Sequence, residues 1–338
     1  MKRILIILFL FAGFQSCQNF DIEHPDYKYT SGFFPYQYPV RTLVLGDYIY
    51  DNANDNAHKF VISVAMGGVY ENSKERVFDF EVDETLCKNV LFTDGGDQVK
   101  AMPKNYYTLS SANKIIIPKD KFNGGIEVQL SDAFFADPLA IKNTYVVPLR
   151  LKGSYDVDTI LSGRPIGQNA DPRINADWFT TPKNFTMFAV KYINEYHGNY
   201  FHYGSSTVKD ATGAVTETTT YSTPYVENNA VTKLSTTGRF QVSFSTLFKS
   251  VKVTGPLELL LTFNGNNCSI SAPPGSNYTV TGNGSFKTKE YEWGNKKRDG
   301  IVLDYTVTTN TGMKYEAKET LVARDRAVIM EVYSPVVK

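Results

Sequence analysis

Alternation of apolar and polar residues at every second position constrains this chain more than any other feature. From Lys59, KFVISVAM places Phe60, Ile62, Val64 and Met66 on one face. From Arg76, RVFDFEV turns Phe78, Phe80 and Val82 one way and Asp79 and Glu81 the other. Ile126, Val128 and Leu130 alternate with Glu127 and Gln129, and Tyr145, Val147, Leu149 and Leu151 repeat the pattern. In the second half Phe240, Val242 and Phe244 oppose Arg239, Gln241 and Ser243, and Ile301, Leu303, Tyr305 and Val307 alternate with Asp304 and Thr306. LELLLTF from Leu257 has the look of a more continuously buried strand. Successive strand side chains point to opposite faces, so this period marks half-buried strands. The expected class is all-β, with only short helices such as SDAFFADPLA, where Ser131 is placed to cap the first turn.

The 338 residues exceed what one ordinary core covers, which predicts two domains. Periodicity stops between Gly153 and Pro182, where DTILSGRPIGQNADPRINADW is rich in Gly, Pro, Asn and Asp. The expected division is a leader over 1–17, a first domain over 18–155, a connection over 156–181 and a second domain over 182–338. Pro148 lacks an N–H and points to a sandwich strand at an edge or bulge rather than to a parallel sheet. In the second half, turn signals such as FNGNN, PPGSN and GNGS separate closely spaced strands. A meander closed into a barrel suits such a series, because closure removes exposed sheet edges.

The first residues, MKRILIILFLFAGFQSC, run from two cations through an apolar stretch that ends at Phe11. That order is a secretory leader, and its apolar core is too short for a permanent span of a hydrocarbon layer roughly 30 Å thick. Cys17 directly after Ser16 resembles a bacterial lipoprotein processing site, with Phe14 replacing the more usual leucine; cleavage by an ordinary peptidase is the alternative. Acyl chains on Cys17 would give a stable membrane anchor, each buried methylene contributing about 0.8 kcal/mol. Loss of Lys2 and Arg3 leaves 33 basic against 35 acidic residues, without the clustered cations that a nucleic-acid partner requires. Cys87 and Cys268 are too few for a disulfide framework and read as buried free thiols. His24, His58, His197 and His202 are scattered without metal-ligand spacing. DNANDNAH from Asp51 departs from a calcium loop at Ala53, Ala57 and Ile62 and reads as a polar loop. No metal or cofactor is expected.

Aromatic residues concentrate in KYINEYHGNYFHYG, from Lys191 to Gly204. The reading is a first barrel hairpin, in which Phe185, Met187, Ala189, Lys191 and Ile193 share a face, Gly198 turns the chain and Tyr200 begins the return. Exposed rings are also platforms for sugar rings, which makes Tyr196, Tyr200 and Tyr203 candidate glycan contacts. Trp178 in the connection and Trp293 in the charged piece KEYEWGNKKRDG are candidates on the same ground; each could instead be a packing anchor.

Catalytic motifs are missing: there is no GxSxG elbow, P-loop, HExxH or dinucleotide fingerprint. A glycosidase needs two carboxylates roughly 5–10 Å apart. Glu195, Glu227, Glu290, Glu292, Asp299 and Asp304 are all eligible and nothing in the sequence selects a pair. No catalytic residue is assigned.

Several segments resemble a known family. FPYQYPVRTLVLGD from Phe34, GGVYEN from Gly67, FEVD from Phe80, LSDAFFADPLAIKNTYVVPL from Leu130 and ILSG from Ile160 are similar to Bacteroidetes lipoproteins of unknown function with a leading immunoglobulin-like sandwich. VKYINEYHGNY, YVEN from Tyr225, EWGNKKRD from Glu292 and TLVARDRAV from Thr320 resemble the lipocalin-like, calycin-type barrel often fused to it. The resemblance implies an immunoglobulin-like β-sandwich followed by a lipocalin-like antiparallel barrel. It further implies a lipid-anchored outer-membrane surface protein beside starch-utilisation-type uptake systems, with a glycan or an uptake-complex protein as partner. Non-catalytic binding is the expectation it favours; a hydrolase with an unrecognised acid pair and a purely structural interaction protein are the alternatives. Asp158-Thr159-Ile160 resembles the Bacteroidetes O-glycosylation acceptor pattern, which makes Thr159 a candidate modification site in an exposed linker.

Overall fold

The computed structural model describes residues 26–338, so the leader and Cys17 lie outside the described residues. The class is all-β, a sandwich joined to a closed antiparallel barrel. One sandwich sheet orders the strands Thr159–Ile160, Ser31–Phe33, Lys59–Gly67, Asn123–Leu130 and Tyr107–Leu109. The other runs Glu331–Val332, Pro39–Val44, Phe185–Ile193, Tyr145–Ser154, Arg76–Val82 and Lys114–Ile117, with Lys100–Ala101 added alongside Tyr145–Ser154. Phe60, Ile62 and Val64 from one sheet meet Phe78, Phe80, Val147, Leu149 and Tyr192 from the other in one buried core. Here the alternation read from sequence is the alternation observed.

The barrel is a meander of eight strands: Gly198–Lys209, Ala230–Gly238, Gln241–Leu247, Pro256–Asn264, Asn267–Ser271, Tyr278–Trp293, Lys296–Thr309 and Lys314–Asp325. It closes where Gly198–Lys209 pairs along its length with Lys314–Asp325, from Asn199↔Asp325 to Lys209↔Lys314. A ninth strand, Val215–Tyr221, continues the sheet beside the second half of Gly198–Lys209. Inward positions carry Leu234, Val242, Phe244, Leu259, Leu261, Ile301, Leu303, Val307 and Leu321, all fully buried. LELLLTF is not continuously buried: Leu257, Leu259, Leu261 and Phe263 point in while Glu258 and Thr262 are exposed. Phe240 is also a correction, half of it in solvent, because it stands in the turn before its strand begins.

The largest correction concerns Phe185–Ile193. Expected to open the barrel, it pairs antiparallel with Tyr145–Ser154 and parallel with Pro39–Val44 inside the sandwich. Its two faces are both covered. Val190 and Tyr192 enter the sandwich core, while Phe185, Met187 and Ala189 pack in a third cluster with Val90, Phe92 and Tyr333. Tyr333 arrives from the far end of the chain, which leaves the barrel at Asp325 and returns: Glu331–Val332 pairs with Pro39–Val44, and Val336–Val337 with Val90–Leu91. The barrel is thus an insertion between two parts of the sandwich, and residues 194–197 are a crossover rather than a hairpin turn.

Smaller expectations also change. Pro148 lies in a central strand, not at an edge; its carbonyl accepts from Asp83 N, just past the last pair of that ladder, Leu149↔Val82, so its missing N–H faces a place where pairing has ended. Ser131 precedes the short helix Asp132–Ala136 without capping it, and its hydroxyl donates to Asn105 O instead (2.8 Å). Asp137 caps the next turn, accepting from Leu139 N (2.8 Å). The connection over 156–181 is not loose: it holds the strands Thr159–Ile160, Arg164–Pro165 and Trp178–Thr180, and Arg173 ties it to the carbonyls of Leu86 and Lys88.

Candidate functional site

The strand Pro39–Val44 delivers a loop to the junction of the two domains. Gly46, at φ 83°, turns it there; a Cβ at this position would stand 2.5 Å from Glu195 Cβ in the crossover, so glycine is required both by φ and by space. The polar stretch DNANDNAH fixes the loop from behind. Asn52 Nδ2 donates to Val44 O and Gly46 O (both 2.8 Å), and Asn56 Oδ1 accepts from Gly46 N (2.8 Å). Buried Asp55 accepts from Val44 N (2.9 Å) and pairs with Arg41; burial raises its carboxyl despite the lowering by both partners. With its base held, the loop projects Asp47, Tyr48, Ile49 and Tyr50.

Arg326 joins the two domains at this point. Its Nε donates to His197 O (2.8 Å), Nη1 to Leu45 O (2.9 Å) and Asp47 O (2.6 Å), and Nη2 to Asn194 O (2.5 Å). Asn194 in turn donates to Gly238 O and Gln241 O (both 2.9 Å) on the barrel rim. Lys289, in the long barrel hairpin, pairs with Asp47 across the junction, and its N–H donates to Asp299 (2.9 Å).

Between these elements lies a cleft of about 590 Å³. Tyr48, Ile49, Tyr50 and Ile329 supply apolar surface; Asp47, Glu195, Asn199, Arg298, Asp299, Arg324 and Asp325 supply polar groups. Tyr50 is 68% exposed and meets Tyr48 edge to face, ring centroids 5.3 Å apart. A flat apolar ring in reach of carboxylate, amide and guanidinium groups can hold a polyhydroxylated ring: its C–H face lies on the aromatic, its hydroxyls at the polar side chains. The carboxylates are mostly engaged as acceptors: Asp47 and Asp299 with Lys289, Asp325 with Asn199 Nδ2 (2.7 Å) and Ala327 N (2.8 Å). Among the described residues no group of three or more His, Cys, Asp or Glu side chains is arranged to hold a metal ion.

The inward positions of the barrel are occupied by side chains packed against one another. Fully burying one large apolar side chain contributes roughly 1.5–3 kcal/mol. Displacing three of them for a sugar would cost about as much as micromolar binding returns, near 8 kcal/mol.

The sequence-derived candidates divide. Tyr196 and Tyr200 are each 2% exposed and belong to the barrel core, a correction to their reading as glycan contacts. Tyr196 stacks on Phe263 with centroids 3.6 Å apart, and Tyr200 donates its hydroxyl to Tyr196 O (2.8 Å). Tyr203, one position out of phase, is half-buried on the outer face, where desolvation raises its phenol. Trp293 is half-buried beside the cleft: its indole N–H donates to Ala323 O (2.9 Å), its edge meets Phe201, and Arg298 covers one ring face at 4.2 Å. Trp178 is apart from the cleft, half-buried, its N–H bonded to Asp171 O (2.7 Å). Thr159 is not on an open linker; it is half-buried in a strand running parallel to Ser31–Phe33. Cys87 and Cys268 are buried free thiols, pushed up to about 12 by burial. Sequence reasoning missed Tyr48, Tyr50 and Arg298. The available signal for the first two was two rings in a non-periodic loop next to a run of turn-forming residues.

A family model described as a domain of unknown function (DUF5627) matches residues 195–327, and a second, described as an N-terminal domain, matches residues 27–158. The first boundary falls in the crossover. A structural-genomics crystal structure of unknown function from Bacteroides ovatus is 36% identical, with a TM-score of 0.86, over 93% of this chain and 100% of that one. A multidomain protein including DUF1735, also from Bacteroides ovatus, is 12% identical with a TM-score of 0.43, over 87% of this chain and 94% of that one. Among curated proteins none matches.

Proposed function

Because this chain belongs to a Bacteroidetes family of proteins of unknown function, we propose from its own geometry that it is a non-catalytic, lipid-anchored surface protein of the outer membrane that binds glycan in the cleft between its two domains. The observation that carries this reading is the exposed Tyr50 ring beside Tyr48, Asn199 and the charged groups of a 590 Å³ cleft. Occupation of the inward barrel positions by a buried side-chain cluster supports it. Engagement of Asp47, Asp299 and Asp325 by fixed donors favours holding over hydrolysis, which calls for a carboxyl kept protonated in an apolar pocket. In this role the sandwich carries the anchor and the loop of Asp47–Tyr50, and the barrel supplies the opposite wall. A place beside an outer-membrane polysaccharide uptake system completes the proposal.

The test is a glycan array probed with soluble protein beginning after Cys17, with turnover followed on every hit. Binding without product, weakened at least tenfold by Tyr50→Ala with the fold intact, is the expected result. Product from any hit would replace the reading by a hydrolase. No binding at all would leave a protein partner as the better account.

A further inference from the structure

The cleft contains four basic side chains, and three of them are already committed. Lys289 serves Asp47 and Asp299, Arg326 serves four backbone carbonyls, and Arg324 stands 3.6 Å from Asp325. Arg298 differs. It has no ion pair and no hydrogen bond among the described residues, and its Nε is buried without an acceptor.

The position of Arg298 is nevertheless fixed. It sits directly across from Tyr291 in the hairpin Tyr278–Trp293 and Lys296–Thr309, and its guanidinium lies over the Trp293 ring at 4.2 Å. Trp293 is itself held, edge-on to Phe201 at 5.2 Å and bonded to Ala323 O. Stacking on an aromatic ring immobilises a guanidinium while leaving its forked N–H edge free, the arrangement best suited to a planar or tetrahedral anion. Arg298 lines the cleft with no protein acceptor on its Nη groups among the described residues, so an arriving anion displaces no internal partner there, as it would at Lys289 or Arg326.

Resting on the glycan reading above, we propose that the cleft selects acidic saccharides, with Arg298 binding an anionic substituent of the sugar, a carboxylate or a sulfate ester, while Tyr50 carries the ring. Trp293 acts as the support of Arg298 rather than as a sugar platform.

Four probes test it by calorimetry at low salt: oligogalacturonate, its fully methyl-esterified form, a sulfated chondroitin oligosaccharide and a neutral xylo-oligosaccharide. The matched esterified pair changes charge and leaves the backbone alone. The expected result is at least about tenfold tighter binding of one acidic probe than of the neutral ones, lost in Arg298→Gln and partly kept in Arg298→Lys, because a charge-assisted fork is replaced by a single point charge. The acidic arm that binds identifies carboxylate or sulfate. Thermal melting of both variants checks that the hairpin is intact. Equal binding of charged and neutral probes, or an Arg298→Gln protein that keeps the preference, overturns the inference and leaves the glycan reading standing. If no probe binds and the array is blank, both fall together.

Discussion

His202 Nε2 stands 2.9 Å from Glu319 Oε1 inside the barrel, with 1% of either side chain exposed. Tyr221 donates its hydroxyl to the same oxygen, Glu319 Oε1, at 2.7 Å. Glu319 Oε2 and the Tyr305 hydroxyl have no partner among the described residues. Burial, then the charge of Glu319, raises the phenols of Tyr221, Tyr305 and Tyr315, so all three stay neutral. Removing one member of such a pair typically costs about 3–5 kcal/mol, whereas replacing both by apolar groups of similar volume is often neutral or stabilising. His202→Leu alone is therefore expected to lower stability by about that amount, and His202→Leu with Glu319→Leu to recover most of it. Urea denaturation of the two single variants and the double one would check this; additive losses would contradict it.

Tyr333 holds the returning end of the chain to the sandwich. Its ring is buried 4.8 Å from Phe92, and its hydroxyl donates to Met187 O (2.9 Å). Tyr333→Ala should cost roughly 3–5 kcal/mol, in the range of large aromatic truncations in cores. Ending the chain at residue 330 should cost at least as much, measured by calorimetry on the purified proteins. An unchanged melting temperature would show that the return is dispensable.

His197 links stability to pH. Its Nδ1 accepts from Thr236 N (3.0 Å), so that nitrogen is unprotonated in the fold, and burial followed by the nearby charges of Lys233 and Arg326 depresses the ring to about 4 from 6.5. A histidine depressed in the folded state binds more protons when unfolded. Its contribution is full above pH 6.5 and is lost as pH falls toward about 4. The loss expected is on the order of 2 kcal/mol, after discounting for partial exposure. Stability curves at several pH values between these limits, compared with His197→Gln, provide the check; a variant with the same slope would refute it.

Arg326 should behave as the hinge pin. Burial lowers its guanidinium from the ordinary value, yet four carbonyls from both sides of the junction accept its protons. Charge-assisted bonds contribute about 1.5–3 kcal/mol each and do not add. Arg326→Lys, which cannot span all four, is expected to cost roughly 2–3 kcal/mol and to admit protease cleavage near 194–197 before either domain unfolds. Small-angle scattering would detect the accompanying spread of domain orientations.

At Glu217 the expected effect is local. Its carboxylate accepts from Val251 N and Lys252 N (both 3.0 Å) and from Ser250 Oγ (2.8 Å), which holds it down at about 2. A depressed carboxyl adds stability above its unfolded value, near 4.5, and gives it up as pH falls toward 2. Hydrogen exchange in residues 249–253 should quicken in Glu217→Ala at neutral pH, with the barrel core unaffected. Unchanged exchange would argue against it.

Strand positions were legible in the residues because a period of two states directly which side chains leave water, as in Phe60, Ile62 and Val64 or Ile301, Leu303 and Tyr305. Closure into a barrel was legible from turn spacing. The same pattern left Phe185–Ile193 in the wrong domain and Tyr196 and Tyr200 on the wrong surface, because alternation gives a face and not its partner. Only tertiary structure decided that the returning Tyr333 covers the second face of Phe185–Ile193, and that Tyr50, Glu195, Arg298 and Asp325 share one cleft. Those four residues lie on segments far apart in the chain, and strand pairing across such distances depends on geometry that no local propensity encodes.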